Sequence, residues 1–157
     1  MRRPIKNKRE PEADMKYGSV LVSRIINRIM KSGDKSSARK IVYGALEKAE
    51  AKIGKPALDV LNQVVENAAP NIELRSRRVG GANYQVPIEV RPERRLALAL
   101  KWIIDSARAQ KGKGMQEKFS EELINAYNNA GNAVKKKSDV HRMAEANKAF
   151  AHFGRRR

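Results

Sequence analysis

The sequence predicts a mainly α fold: a single domain of about six helices, with a protruding two-stranded β-hairpin and a basic N-terminal arm. Three observations carry this expectation. Apolar residues recur at helical spacing along most of the chain. Over residues 72–90 the period changes to two. In the first 16 residues Arg2, Arg3, Lys6, Lys8 and Arg9 are interspersed with Pro4 and Pro11, with almost nothing a core would take. A length of 157 residues, 41% of them hydrophobic, suits one domain that buries roughly 70% of its extended-chain surface.

The division expected is therefore an arm over residues 1–16 and a helical domain over 17–157. Two readings of the arm fit its composition equally: a solvated tail, or an extension that orders on RNA. The first helix runs from Val20 to Lys31. Leu21, Val22, Ile25, Ile26, Ile29 and Met30 form its inner stripe, and Arg24, Arg28 and Lys31 its outer face. Ser32-Gly33-Asp34 stops it, Gly33 being suited to a left-handed cap. Ser36 or Ser37 caps a second helix that turns Ile41, Val42, Ala45, Leu46 and Ala49 inward and ends at Gly54. Pro56 opens a third, packed through Leu58, Leu61, Val64, Val65 and Ala68 and closed by Pro70.

In the hairpin, Ile72 and Leu74 alternate with Glu73 and Arg75. After Gly80-Gly81, Tyr84, Val86, Ile88 and Val90 alternate with polar residues and Pro87. The expectation is one apolar face per strand, both resting on the body, with the nitrogen of Pro87 turned away from the pair. Pro92 opens a fourth helix. Its stretch Leu96–Ile104 has Lys101 as its single ionisable residue, which predicts the central, most buried helix. Arg94, Lys101, Asp105 and Arg108 fall on one polar stripe. A basic loop holding Lys111 and Lys113 leads to a fifth helix packed through Met115, Phe119, Leu123, Ala126 and Tyr127. A last helix begins after Gly131 or Asn132, carries Lys135, Lys136 and Lys137 early, and ends near Phe150.

Charge points to the partner. Lys and Arg number 34 against 17 acidic residues, a formal net charge of +17, which favours fast association with polyanions and above all with nucleic acid. Arg75, Arg77 and Arg78 on a projecting ribbon, with Tyr84 beside the turn, read as an RNA-gripping device. Phosphates attract guanidinium groups, and an unstacked base lies flat on an aromatic ring. For Tyr84, packing across the hairpin onto the other strand fits equally well.

Other chemistry is not indicated. There is no cysteine, hence no disulfide or thiolate site, which fits the cytosol. No apolar run reaches the ~20 residues that span a bilayer, and no apolar region of a secretory signal follows Met1-Arg2-Arg3-Pro4. His141 and His152 are eleven apart, which does not place them on one helix face as a metal pair. Glu73, Glu89 and Glu93 lie near the hairpin base; Glu73 and Glu89 could pair across its strands, but neutralising adjacent arginines explains those two better than a metal-dependent nuclease does. No catalytic residue, metal or cofactor is expected. A DNA-binding helix-turn-helix built on the first two helices would meet an acid, Asp34, where a phosphate contact is wanted. A membrane-active protein would need apolar faces that these helices use on one another.

Two long motifs go beyond class. The run Arg75–Val90 closely resembles the hairpin of the bacterial small-subunit ribosomal protein seven family, and Val140–His152 looks like that family's last helix. The helices from Ile25 to Leu46 and the run Ala133–Lys137 agree, so the resemblance covers essentially the whole chain. It implies a structural constituent of the small ribosomal subunit, cytoplasmic and within the ribosome. It also implies primary binding to the 3′ major domain of the small-subunit rRNA and nucleation of head assembly. The hairpin would lie near the mRNA exit path and the exit-site tRNA, and proteins nine and eleven would be neighbours. Carried over by position, RNA contacts are expected at Arg2, Arg3, Lys6, Lys8, Arg9, Lys35, Arg75, Arg77, Arg78, Arg94 and Arg95. Tyr84, Lys101, Lys113, Lys135, Lys136 and Arg142 complete the expected surface. The chain departs from the family pattern at Asp34, where a lysine is usual but where the acid is suited instead to capping the second helix, and at Met15, where a proline often follows the aspartate. The second departure predicts a looser exit of the arm from the body.

Overall fold

The computed structural model describes residues 11–154. Helices α1 (Val20–Ile29), α2 (Lys35–Ile53) and α3 (Ala57–Ala68) come first. Strands β1 (Ile72–Val79) and β2 (Ala82–Glu89) follow, then α4 (Pro92–Ala109), α5 (Met115–Tyr127), α6 (Asn132–Ala146) and a 3-10 segment, Lys148–Gly154. The core gathers most of the predicted stripes: Val22, Ile25 and Ile26 of α1, Val42 and Leu46 of α2, Leu61 and Val64 of α3, and Ile103 and Ile104 of α4; in α3 it also takes Val60, outside the predicted stripe, while Leu58 and Val65 are only partly buried. The centre expected of α4 is shared with α5. That helix lies against α2, α3, α4 and α6 and buries Phe119, Leu123 and Ala126.

Helix ends follow local chemistry. Ser32 and Gly33 both take the left-handed conformation (φ 52° and 83°), so α1 stops two residues before the predicted Lys31. Neither Ser36 nor Ser37 caps α2. Asp34 does: its Oδ1 accepts the Ser37 amide at 3.1 Å and the Ser36 hydroxyl at 2.9 Å. Hydrogen bonds from Ser37 and then Ser36 hold this carboxyl at about 2. The acid that disfavours a phosphate contact therefore starts a helix.

The cap of α6 comes from another element. Gly131 precedes the helix with φ 96° and offers no side chain, while Glu122 of α5, 1% exposed, accepts the Ala133 amide through Oε1 at 2.9 Å. Gln110 Nε2 donates to the other carboxylate oxygen at 3.4 Å. Burial pushes the Glu122 carboxyl up, and the bonds from Ala133 and Gln110 oppose that rise. A Cβ at position 131 would stand 3.1 Å from Asn125 Cβ and 3.2 Å from Glu122 Oε1, a tight fit that adds to the preference for glycine set by φ. At its far end α6 stops at Ala146, short of the predicted Phe150. Asn147 Nδ2 donates to the Met143 carbonyl at 2.7 Å, and the chain tightens into the 3-10 segment.

The hairpin needs one correction. Gly80 and Gly81 (φ 57° and 91°) form a two-residue turn of the primed kind and place Val79 opposite Ala82. The register then pairs Glu73 with Ile88, Arg75 with Val86 and Arg77 with Tyr84. Residues directly opposite share a face. The apolar side of β2 is therefore the charged side of β1, and Ile72 and Leu74 lie on the reverse face with Glu89 and Pro87. The expected common apolar face does not exist. Pro87 sits where predicted: the Val90 amide bonds the Asn71 carbonyl at 3.0 Å, and alternation from there leaves the Leu74–Pro87 pair without ladder bonds.

Before α1, where almost nothing was expected to be buried, Asp14 is tied to the body. This residue is 6% exposed; its carboxylate accepts the amides of Lys16 (3.1 Å) and Tyr17 (3.3 Å) and the hydroxyl of Tyr43 in α2 (2.7 Å). Asp14 thus anchors the chain without the proline the family pattern supplies. Arg2, Arg3, Lys6, Lys8 and Arg9, like Arg155–Arg157, lie outside the described residues.

Candidate RNA-binding surface

The expected contacts fall into two groups, cations held by the fold and cations presented by it. Glu73 organises the first. Buried at the hairpin base, it accepts Arg75 Nε at 2.7 Å through one oxygen and Arg94 Nε at 3.1 Å through the other. Burial raises its carboxyl, but the Arg75 and Arg94 bonds outweigh that and leave it below the ordinary range. The predicted neutralising role thus holds for Glu73. Glu89, opposite Ile72, makes no ion pair with an arginine among the described residues. Both arginines are mostly exposed and keep donors free, because a guanidinium carries five N–H groups. Glu73 fixes their direction while cancelling one of their two charges.

Arg77 is also held, its Nη1 donating to the carbonyl of Phe153. Arg78, next along the strand, is exposed and has no partner among the described residues. Arg95 lies half-buried on α4, its Nε sequestered without a hydrogen-bond partner. It is close enough to Lys137 to help burial lower that ammonium, whose Nζ donates to the Asn67 carbonyl at 2.8 Å. Of the run Lys135–Lys137, the last residue therefore ties α6 to α3, while Lys135 and Lys136 are exposed.

Elsewhere the cations face outward. Lys35 is exposed on the first turn of α2, and Lys101 on α4. Lys113 pairs with Glu121 beside the α4–α5 loop, and Arg142 pairs with Asp139 at 3.0 Å within α6. The polar stripe Arg94, Lys101, Asp105 and Arg108 is exposed as expected. Its last member has a structural task as well: Arg108 Nη2 donates to the carbonyls of Arg28 (2.9 Å) and Ile29 (3.3 Å) and closes the end of α1.

Two side chains differ from their sequence reading. Tyr84 does not stand free: its ring lies 5.0 Å from Phe150 and 5.3 Å from Phe153, both in the 3-10 segment. His141 is half-buried, its Nε2 accepting the Asn71 amide at 3.1 Å, and burial followed by the Lys137 charge lowers its basicity. It fastens α6 to the strand entrance. Sequence reading gave no role to Phe150 and Phe153. Their spacing of three, one helical turn, was the available sign that they act together.

Among the described residues no group of three or more His, Asp or Glu could hold a metal, and no helix is long and apolar enough to cross a membrane. A helical body with cations on several faces and a projecting arginine ribbon has the surface of a structural nucleic-acid-binding protein. Comparison with known proteins makes this specific. The family model described as ribosomal protein S7p/S5e matches residues 1–148. The small ribosomal subunit protein uS7 of Fervidobacterium nodosum is 56% identical over 153 residues, covering 98% of this chain and 99% of the relative. That of Thermotoga maritima is 56% identical with the same coverage, and that of Chloroflexus aggregans is 53% identical over 154 residues, covering 98% of each.

The chain belongs to the ribosomal protein S7p/S5e family. It is a structural component of the small ribosomal subunit, built in with rRNA, located in the cytoplasm, and not an enzyme.

Proposed function

We propose that this protein is a primary binder of the 3′ major domain of the small-subunit rRNA and nucleates assembly of the subunit head. The hairpin reaches the mRNA exit path and the exit-site tRNA, and proteins nine and eleven are its neighbours. The observation that carries this reading is the division of labour at the hairpin. Glu73 aims Arg75 and Arg94 at the root, and Arg78, exposed near the tip, has no partner among the described residues. Preset root cations fix register on phosphates, and an exposed tip cation extends the reach.

Residues 1–16 act in this proposal as a separate arm, its root set by Asp14 and its cations Arg2, Arg3, Lys6, Lys8 and Arg9 ordering on RNA. Lys35, Arg95, Lys101, Lys113, Lys135, Lys136 and Arg142 extend the contact across the body. Joining RNA segments through one rigid body is how such a protein converts its own order into RNA order.

Replacing Arg77 and Arg78 together by alanine is expected to weaken binding to a 3′ major-domain fragment by about tenfold. The slope of log affinity against log salt should fall by about one to two. Titrations across a salt series read both quantities. Unchanged affinity and slope would remove the hairpin tip from the binding surface.

A further inference from the structure

We propose that Tyr84, Phe150, His152 and Phe153 form a composite platform on which unpaired bases of single-stranded RNA stack. Tyr84 comes from β2 and the other three from the 3-10 segment, so the platform exists only in the folded chain. Tyr84 packs on both phenylalanines. Phe150 and Phe153 lie nearly parallel, at 11° with centroids 6.3 Å apart, and the His152 ring sits 3.9 Å from Phe153.

Exposure separates this cluster from core packing. The chain's remaining phenylalanine, Phe119, is 1% exposed, as a ring recruited for stability should be. Tyr84, Phe150 and Phe153 are only half-buried, and His152 is exposed. Apolar rings left partly open beside arginines fit a ligand that offers both flat faces and phosphates. The bond from Arg77 to the Phe153 carbonyl holds the segment on the hairpin, and His152 Nδ1, 2.8 Å from the Ala149 carbonyl, holds its ring in place. Arg77, opposite Tyr84, lies on the cluster's face, and the donors that its bond to Phe153 leaves over are available for the backbone of a strand whose bases lie on the rings, while Arg78, opposite Asn83, is on the reverse face. A duplex does not fit, since its bases are already stacked on one another. The inference rests on the reading of the hairpin as RNA-facing.

The test uses the full chain and a labelled eight-nucleotide oligouridine, against an RNA duplex of equal charge at the same salt. Wild type should bind the single strand more tightly. Combining Tyr84→Leu with Phe153→Leu keeps apolar bulk but removes two stacking faces. It should weaken single-strand binding on the order of tenfold, with duplex binding and salt slope unchanged because no cation is lost. His152→Ala, an exposed change that spares the packing, should give a smaller loss in the same direction and serves if the double variant fails to fold. Folded variants that bind the oligomer like wild type, or lose equally on the duplex, would overturn the platform. Binding of the 3′ major-domain fragment, measured on the same variants, reports separately on the proposed function.

Discussion

Phe119→Ala is expected to lower the stability of the body by about 3–5 kcal/mol, the loss typical of a fully buried aromatic ring. Phe119 is 1% exposed on α5, the helix that α2, α3, α4 and α6 all touch. Around it stand Ile25 of α1, Leu61 of α3, Leu100, Ile103 and Ile104 of α4, and Leu123 of α5 itself. Those walls are anchored on separate helices and cannot all move inward, so the cavity left by the ring persists and its full penalty is felt. Urea unfolding should show a lower midpoint with the slope preserved. A loss below about 1 kcal/mol would mean the core collapses around the site and α5 is less central than its contacts indicate.

Glu122→Ala is expected to destabilise the fold by about 2–3 kcal/mol, the scale of a buried hydrogen bond to a charged group. The substitution strips the cap from α6, because Gly131 has no side chain to replace the carboxylate. It also removes a buried charge, which is why the loss is smaller than for Phe119. Glu122→Gln retains an amide oxygen for the Ala133 N–H and should recover part of the stability.

The pH dependence of this site follows from the direction of the shift. Because burial raises the Glu122 carboxyl in the folded state, the folded protein holds that proton more tightly than the unfolded chain does. The associated stabilisation is fully present below the unfolded carboxyl value and is lost as pH rises through the folded one. The glutamine variant should lack this component. Thermal melts of the three proteins across the acid range would show it, and equal pH profiles would exclude Glu122 as its source.

The helices were legible because each stripe is local: Leu21 to Met30 or Phe119 to Tyr127 identifies an inner face without reference to the rest of the chain. The hairpin was legible strand by strand and misread as a pair. Fixing Gly80-Gly81 as a two-residue turn pairs Val79 with Ala82 and, by counting back, Arg75 with Val86. That arithmetic was available in the sequence and contradicts a shared face for Leu74 and Val86. What was not legible joins residues far apart: Glu122 capping α6 across eleven positions, His141 bonding Asn71 across seventy, and Tyr84 meeting Phe150 and Phe153. The cations show the same boundary. The expected contacts took in Arg75 and Arg94, and it is the tertiary structure that sets both on Glu73 and turns Lys137 inward.

Binding of the full chain to a 3′ major-domain rRNA fragment, in competition with scrambled RNA of equal length across a salt series, tests the central claim most directly. Site recognition predicts affinity that falls with salt yet keeps a preference of about 10³ or more for the true fragment. Equal affinity for both RNAs, with one common salt slope, would contradict it and reduce the preset arginines to a generic polycation.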